Sequence, residues 1–161
     1  MHDDLELEKL IVFAIANYHL ALPIDQVLRV INYPTDTSKP LEKVGLIQLG
    51  RHTIKVINLS QRLELDQSTH SAQCPFLMLI RGLNQELCGI PIPIPPDVIE
   101  ISTEALQPLE WSPAASPLLA TVSHAAVVNR ENATLSILLL DLRRVLVAPG
   151  QKLLGTSLAQ L

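Results

Sequence analysis

Aromatic residues are scarce, at 3% of the chain: two Phe, two Tyr and the single Trp111. A core must therefore be built from Leu, Ile, Val and Ala rather than from stacked rings, and recognition by base stacking has little to work with. Basic residues are also few. Twelve Lys and Arg stand against sixteen Asp and Glu, net charge −4, and no basic cluster exceeds Arg143-Arg144. The electrostatic footprint that grips nucleic acid or an anionic bilayer is missing, so neither is an expected partner. The apolar runs, such as Leu10 to Ala16 and Ile137 to Leu140, fall far short of the roughly 20 residues a membrane helix needs. The acidic opening through Glu8 also lacks the basic-then-apolar order of a secretory leader. A cytoplasmic protein without membrane insertion is expected.

Glycine occurs only six times and never as a phosphate-cradling loop, which removes support for nucleotide binding. The two cysteines, Cys74 and Cys88, read as reduced thiols in a chain of this length and compartment. His19, His52, His70 and His124 are scattered, with no pair at metal-ligand spacing. Ser123-His124 lacks a nucleophile-elbow glycine pattern. No metal, no cofactor and no catalytic activity are expected.

What the chain has is apolar substance. With 48% apolar and 17% charged residues over 161 positions it can bury one sizeable core. Strand-length segments rich in Ile, Val and Leu alternate with Gly, Pro and Asn clusters, the pattern of short strands joined by tight turns. Strands are expected near Lys9 to Ala16, His19 to Leu22, Leu28 to Ile31, Val44 to Leu49 and Thr53 to Ile57, with a second set from Phe76.

The second set repeats the first. Ile54-Lys55-Val56-Ile57-Asn58-Leu59-Ser60-Gln61-Arg62-Leu63 aligns with Ile137-Leu138-Leu139-Leu140-Asp141-Leu142-Arg143-Arg144-Val145-Leu146. Both are strands running into a helical turn, which makes Asn58 and Asp141 N-caps. Upstream, Phe13, Leu20-Ala21-Leu22-Pro23-Ile24, Val27 and Val30 align with Phe76, Cys88-Gly89-Ile90-Pro91-Ile92, Val98 and Ile101. The second unit is longer, and its excess falls in Ser102 to Pro117, read as a surface loop. Closure removes exposed sheet edges, so the expected fold is all-β: two small five-stranded barrels sharing a hydrophobic core, with one or two short helices. A sandwich is the alternative. The units span about 9–65 and 76–147 of a single domain at 5–148, followed by a tail at 149–161. In that tail Leu153, Leu154, Leu158 and Leu161 have helical spacing. Pro91, Pro93 and Pro95 read as donors removed from one side of an edge strand.

From about Lys9 to Val147 the chain resembles the CheW family. The clearest match is Gly45-Leu46-Ile47-Gln48-Leu49-Gly50-Arg51-His52-Thr53-Ile54-Lys55-Val56-Ile57-Asn58-Leu59, similar without gaps to the family's signature strand pair. That resemblance implies a non-catalytic adaptor of chemotaxis-type signalling. It would bind the regulatory domain of a CheA-type histidine kinase through barrel surfaces, and a chemoreceptor tip through a groove between barrels. The polar members of the signature are the ones that differ: Arg29 stands where the family usually has Glu, Gln48 replaces Asn, Gly50-Arg51 inverts Arg-Gly, Lys55 replaces Pro and Asn58 replaces Asp. The partner-binding set expected from this region is Val27, Arg29, Val30, Gln48, Gly50, Arg51, His52 and Lys55. Two further readings stay open: a divergent member serving a different partner, and a barrel that holds a small apolar ligand.

Overall fold

The computed structural model describes residues 6–33, 45–65, 74–110 and 116–147. The expected helix in the C-terminal tail, His70 and the first residue of the strand expected from Val44 lie outside these residues.

In chain order the strands are β1 (Leu7–Ile15), β2 (Tyr18–Pro23), β3 (Val27–Asn32), β4 (Leu46–Leu49), β5 (His52–Val56), β6 (Phe76–Arg81), β7 (Leu87–Ile92), β8 (Asp97–Ser102), β9 (Gln107–Pro108), β10 (Val122–Arg130) and β11 (Ala133–Leu140). Among the described residues three short α-helices punctuate them: α1 (Leu59–Arg62) after β5, α2 (Pro117–Thr121) before β10 and α3 (Leu142–Leu146) after β11. One sheet has six strands in the order β8-β1-β2-β11-β10-β9, the other five in the order β3-β6-β7-β5-β4. Fold class and duplication agree with the sequence. The extra strand of the six-stranded sheet, β9, comes from the stretch read as a loop, where Gln107 pairs with Ala125 and Pro108 with His124.

Neither sheet is made by one repeat. The hairpin β1–β2 joins the six-stranded sheet beside β11, and the hairpin β6–β7 joins the five-stranded sheet beside β5. Each of these junctions is parallel, Leu138 to Leu20 and Leu139 to Ala21 in one, Lys55 to Cys88 and Val56 to Gly89 in the other. These pairs are counterparts under the sequence repeat. The two halves therefore exchange hairpins with a conserved register, and the order β3-β6-β7-β5-β4 becomes β8-β1-β2-β11-β10 on passing from one sheet to the other.

The register corrects two of the sequence equivalences. Leu20 faces Phe13 and its counterpart Cys88 faces Ile80, so Ile80, not Phe76, is the partner of Phe13 in the repeat. Likewise Val30 pairs with Met78 and Val98 with Ile11, which makes Val98 the counterpart of Val30 rather than of Val27.

The exchange explains the composition of β1 and β6. In β1, Leu10 and Val12 pack into the interior of the six-stranded sheet with Ile99, Ile137 and Leu139, while Ile11, Phe13 and Ile15 face a core shared with the other sheet. In β6, Leu77 and Leu79 fill the five-stranded interior with Ile47 and Ile54, while Met78 and Ile80 face the shared core. A strand buried on both faces reads as a continuous apolar run. All five strands send side chains into the Ile47–Ile54–Leu77–Leu79 cluster, the two edge strands included through Ile31 of β3 and Leu49 of β4, so the sheet curls around it as a small barrel does. The helices lie on the shared core through Leu59, Leu118, Val145 and Leu146. Asn58 caps α1 by accepting from Gln61 N, and Asp141 caps α3 by accepting from Arg143 N, as their positions in the repeat require.

The proline reading needs revision. β7 is a central strand that ends at Ile92, and Pro93 to Pro96 form the bend beyond it. Pro91 is tolerated inside β7 because β5 has already left. The last pair is Val56 with Gly89, Ile57 N donates to Gly89 O, and only β6 remains alongside Pro91. Pro23, its counterpart, lies just beyond the last β2–β11 pair in the same way.

Candidate interaction site

The β4–β5 hairpin is set by alternation. Ile47 and Ile54 face each other, fully buried, while Gln48 and Thr53 face solvent on the opposite side. Gly50 closes the turn at φ +61, a left-handed conformation that suits glycine. The Gln48 side chain ties the turn together: its Nε2 donates to Gly50 O at 3.2 Å and its Oε1 accepts from Thr53 Oγ1 at 3.0 Å. Arg51 and His52 project into solvent at the tip. Lys55, half-exposed, stands 3.8 Å from Glu86 at the β6–β7 turn.

The β3 members are placed differently. A bulge between Val27 and Arg29 lets Val27 and Val30 both pack, half-buried, against the shared core, while Arg29 is exposed beside Leu28, itself 48% exposed. β3 and β4 are the two edge strands of the five-stranded sheet, so the eight sequence-derived residues fall into two groups on strands that are not hydrogen-bonded to each other.

Next to the β3 group lies a cleft of about 690 Å³ that sequence reasoning did not find. Its wall is drawn from three separated stretches: Asp25 and Leu28 entering β3, Arg81 and Leu83 at the β6–β7 turn, and Leu142 and Arg143 of α3. The first stretch links β2 of the six-stranded sheet to β3 of the five-stranded one, and α3 follows β11, so the cleft sits between the sheets. The lining mixes exposed leucine with paired polar groups. Arg81 Nη1 donates to Gln85 O at 3.1 Å, and Asp141 holds both the α3 cap and an ion pair to Arg144 Nε at 3.3 Å. Such a lining suits protein recognition, with apolar contacts for affinity and a few oriented polar groups for register. The exposed leucines are legible only once the turns that carry them are folded together.

Side chains with chemical potential elsewhere are used structurally. Ser123 Oγ lies 3.3 Å from Leu139 O, to which it can donate, and 2.9 Å from His124 Nδ1, a contact between neighbours in β10. Cys74 and Cys88 are free thiols, and Cys88 is fully buried. Burial, reinforced by the nearby Glu86 carboxylate and opposed by Lys55, pushes the Cys88 thiol up to about 11. Burial raises Cys74 as well. A thiol held protonated is a poor nucleophile. Among the described residues no three of His, Cys, Asp or Glu gather as a metal site, and no helix is long and apolar enough to cross a membrane.

The CheW-like domain model matches residues 9–149. The chain belongs to this family. The crystal structure of the scaffolding protein TtCheW from Thermoanaerobacter tengcongensis shares the fold, with a TM-score of 0.66 at 21% identity over 90% of this chain and 96% of that one. No curated protein matches the chain. As a CheW-like domain, the molecule keeps the apolar frame of the signature hairpin, and the residues that depart from it are exposed or half-exposed: Arg29, Gln48, Gly50, Arg51 and Lys55 among those expected to bind partners.

Proposed function

We propose that this CheW-like protein is a cytoplasmic, non-catalytic adaptor of chemotaxis-type signalling that couples a chemoreceptor tip to the regulatory domain of a CheA-type histidine kinase. The observation that carries the proposal is the CheW-like match across residues 9–149. TtCheW, which has the same fold, is a scaffolding protein. The cleft between the sheets offers the groove such a receptor helix pair would enter, with Leu28 and Leu83 as apolar contacts. The exposed β4–β5 hairpin, with Arg51 and His52 at its tip, offers a separate surface for the kinase domain. Placement of one group beside the cleft and the other on the hairpin suits an adaptor that holds two partners at once.

Arg29 favours a partner set specific to this protein. An exposed guanidinium on an edge strand attracts carboxylates and repels cations, so its receptor or kinase should present an acid there. A small-ligand barrel is disfavoured, because Ile47, Ile54 and Leu77 fill the five-stranded interior and Leu10 and Ile137 the other.

The test is calorimetric binding of the purified protein to the kinase regulatory domain and to a receptor-tip fragment encoded with it. Binding to both is expected. Absence of both interactions overturns the proposal.

A further inference from the structure

The two hairpins that exchange between the sheets differ at their turns. β1 and β2 pair out to Ile15 with Tyr18, and Ala16-Asn17 joins them. In β6–β7 the ladder reaches Arg81 with Leu87, Gly82 N donates to Glu86 O at 2.7 Å, and Leu83-Asn84-Gln85 remain as the loop. The longer loop is the one at the cleft, where Leu83 forms part of the wall and is 41% exposed. A three-residue hairpin loop ordinarily needs one left-handed residue, at its end. This one has two in succession, Asn84 at φ 59 and Gln85 at φ 64, and neither is glycine. Asparagine tolerates that region because its short side chain can bond locally; glutamine lacks that advantage, so Gln85 carries the larger steric cost. The carbonyl of Gln85 is the group that Arg81 Nη1 holds at 3.1 Å. Such a bond from a guanidinium is charge-assisted, and Arg81 is well placed to make it, since its neighbour Ile80 is fully buried and fixes the end of β6.

We infer that Arg81 is a positioning residue of the cleft: by holding the Gln85 carbonyl it keeps Asn84 and Gln85 left-handed, and so sets Leu83 in the wall where a partner's apolar side chain meets it. Without the bond the loop can leave the left-handed region, and Leu83 leaves its place with it. A partner's apparent affinity then falls in proportion to the fraction of molecules that keep the binding-competent loop. Glycine at position 85 removes the steric cost and with it the need for the brace. The brace itself stands on the geometry of the loop; its consequence for a receptor tip rests on the adaptor reading.

The test compares the full chain with full-chain Arg81→Ala and Arg81→Ala/Gln85→Gly variants. The first readout, which needs no partner, is hydrogen exchange at the amides of Gly82 and Glu86, bonded to Glu86 O and Leu83 O across the loop. Arg81→Ala is expected to speed exchange about threefold or more, and the added Gln85→Gly to bring it back toward the parent rate. Unchanged exchange in Arg81→Ala overturns the inference, whatever the adaptor reading's fate. Faster exchange that Gln85→Gly fails to reverse overturns it as well, since the left-handed backbone would then not be what Arg81 offsets. The second readout is receptor-tip affinity, expected to fall about three- to tenfold in Arg81→Ala and to recover in the double variant. A loss that the double variant keeps in full overturns the positioning role, because Arg81 would then touch the partner directly. Exchange that responds as expected, with no receptor tip bound by the parent, upholds the brace and counts against the adaptor reading alone.

Discussion

Arg62 Nη1 donates a 2.9 Å hydrogen bond to the carbonyl oxygen of Val145, the residue that holds Arg62's own place in the second repeat. A contact between a residue and its repeat counterpart puts both beside the pseudo-two-fold axis that relates the sheets. Around them Leu59 and Leu63 meet Val145 and Leu146 in the shared core. The helices that end the two repeats thus close on one another, and Arg62 locks the closure.

Arg62→Ala should cost about 1–3 kcal/mol, since it strips a charge-assisted bond from a part-buried carbonyl. A lowered urea midpoint at unchanged m-value is the expected readout, and faster exchange in α3 should accompany it. An unchanged midpoint would show that the bond contributes nothing.

Gly89 lies under Leu77. A Cβ there would come 2.8 Å from both Leu77 Cγ and Cδ1, and Leu77 is fully buried in the five-stranded interior. Gly89→Ala is therefore expected to destabilise by about 1–3 kcal/mol. Adding Leu77→Val should recover part of that loss, giving a non-additive cycle by thermal or urea unfolding.

The two caps offer an internal comparison. Asn58→Ala and Asp141→Ala should each cost about 1 kcal/mol, because each removes the acceptor for a first-turn amide. Asp141→Asn should keep most of the cap while losing the Arg144 pair, and Asn58→Asp should be near neutral. Equilibrium unfolding of the four variants checks the ranking.

Cys88 makes stability depend on alkaline pH. Its thiol is raised from 9.0 to about 11 in the folded protein, mainly by burial. The contribution is present in full below pH 9, where both states are protonated. Above 9 the unfolded thiol ionises and the folded one does not, so stability falls as pH rises from 9 to 11, by at most about 1.4 kcal/mol per pH unit. Cys88→Ala should flatten this part of the stability profile relative to the parent. A parent profile already flat across that window would refute the assignment.

Because Leu28 and Leu83 line the cleft while Arg51 stands at the β4–β5 hairpin tip outside that lining, the effects of the two groups should separate. Arg29→Glu and Leu83→Asp are expected to weaken receptor-tip binding about tenfold or more with little change toward the kinase domain. Arg51→Glu at the hairpin tip should do the reverse. Titration of each variant against each partner checks this, and equal losses toward both would merge the two surfaces into one.

Much of the architecture is legible in the residues themselves. Turn residues and apolar runs give the strands, the repeated strand-to-helix segments give both caps, and the duplication gives two like sheets around a common core. The candidate site is less legible. Ile47 and Ile54 follow from alternation, but the role of Gln48 as a brace across its own turn depends on a hydrogen-bond pattern that composition does not encode. The cleft depends on three stretches far apart in the chain.

The sequence by itself determined the β class, the repeat, the helix starts at Asn58 and Asp141 and the apolar substance of the core. Only the tertiary structure decided which hairpin joins which sheet and which residues of the repeat are counterparts. The reason is physical. A strand with one wet face carries a two-residue period that pins its register, but β1 and β6 are buried on both faces, so their unbroken apolar runs read the same after a slip of several residues. Phe13 therefore found Phe76 by resemblance, while pairing across the hairpins assigns it Ile80.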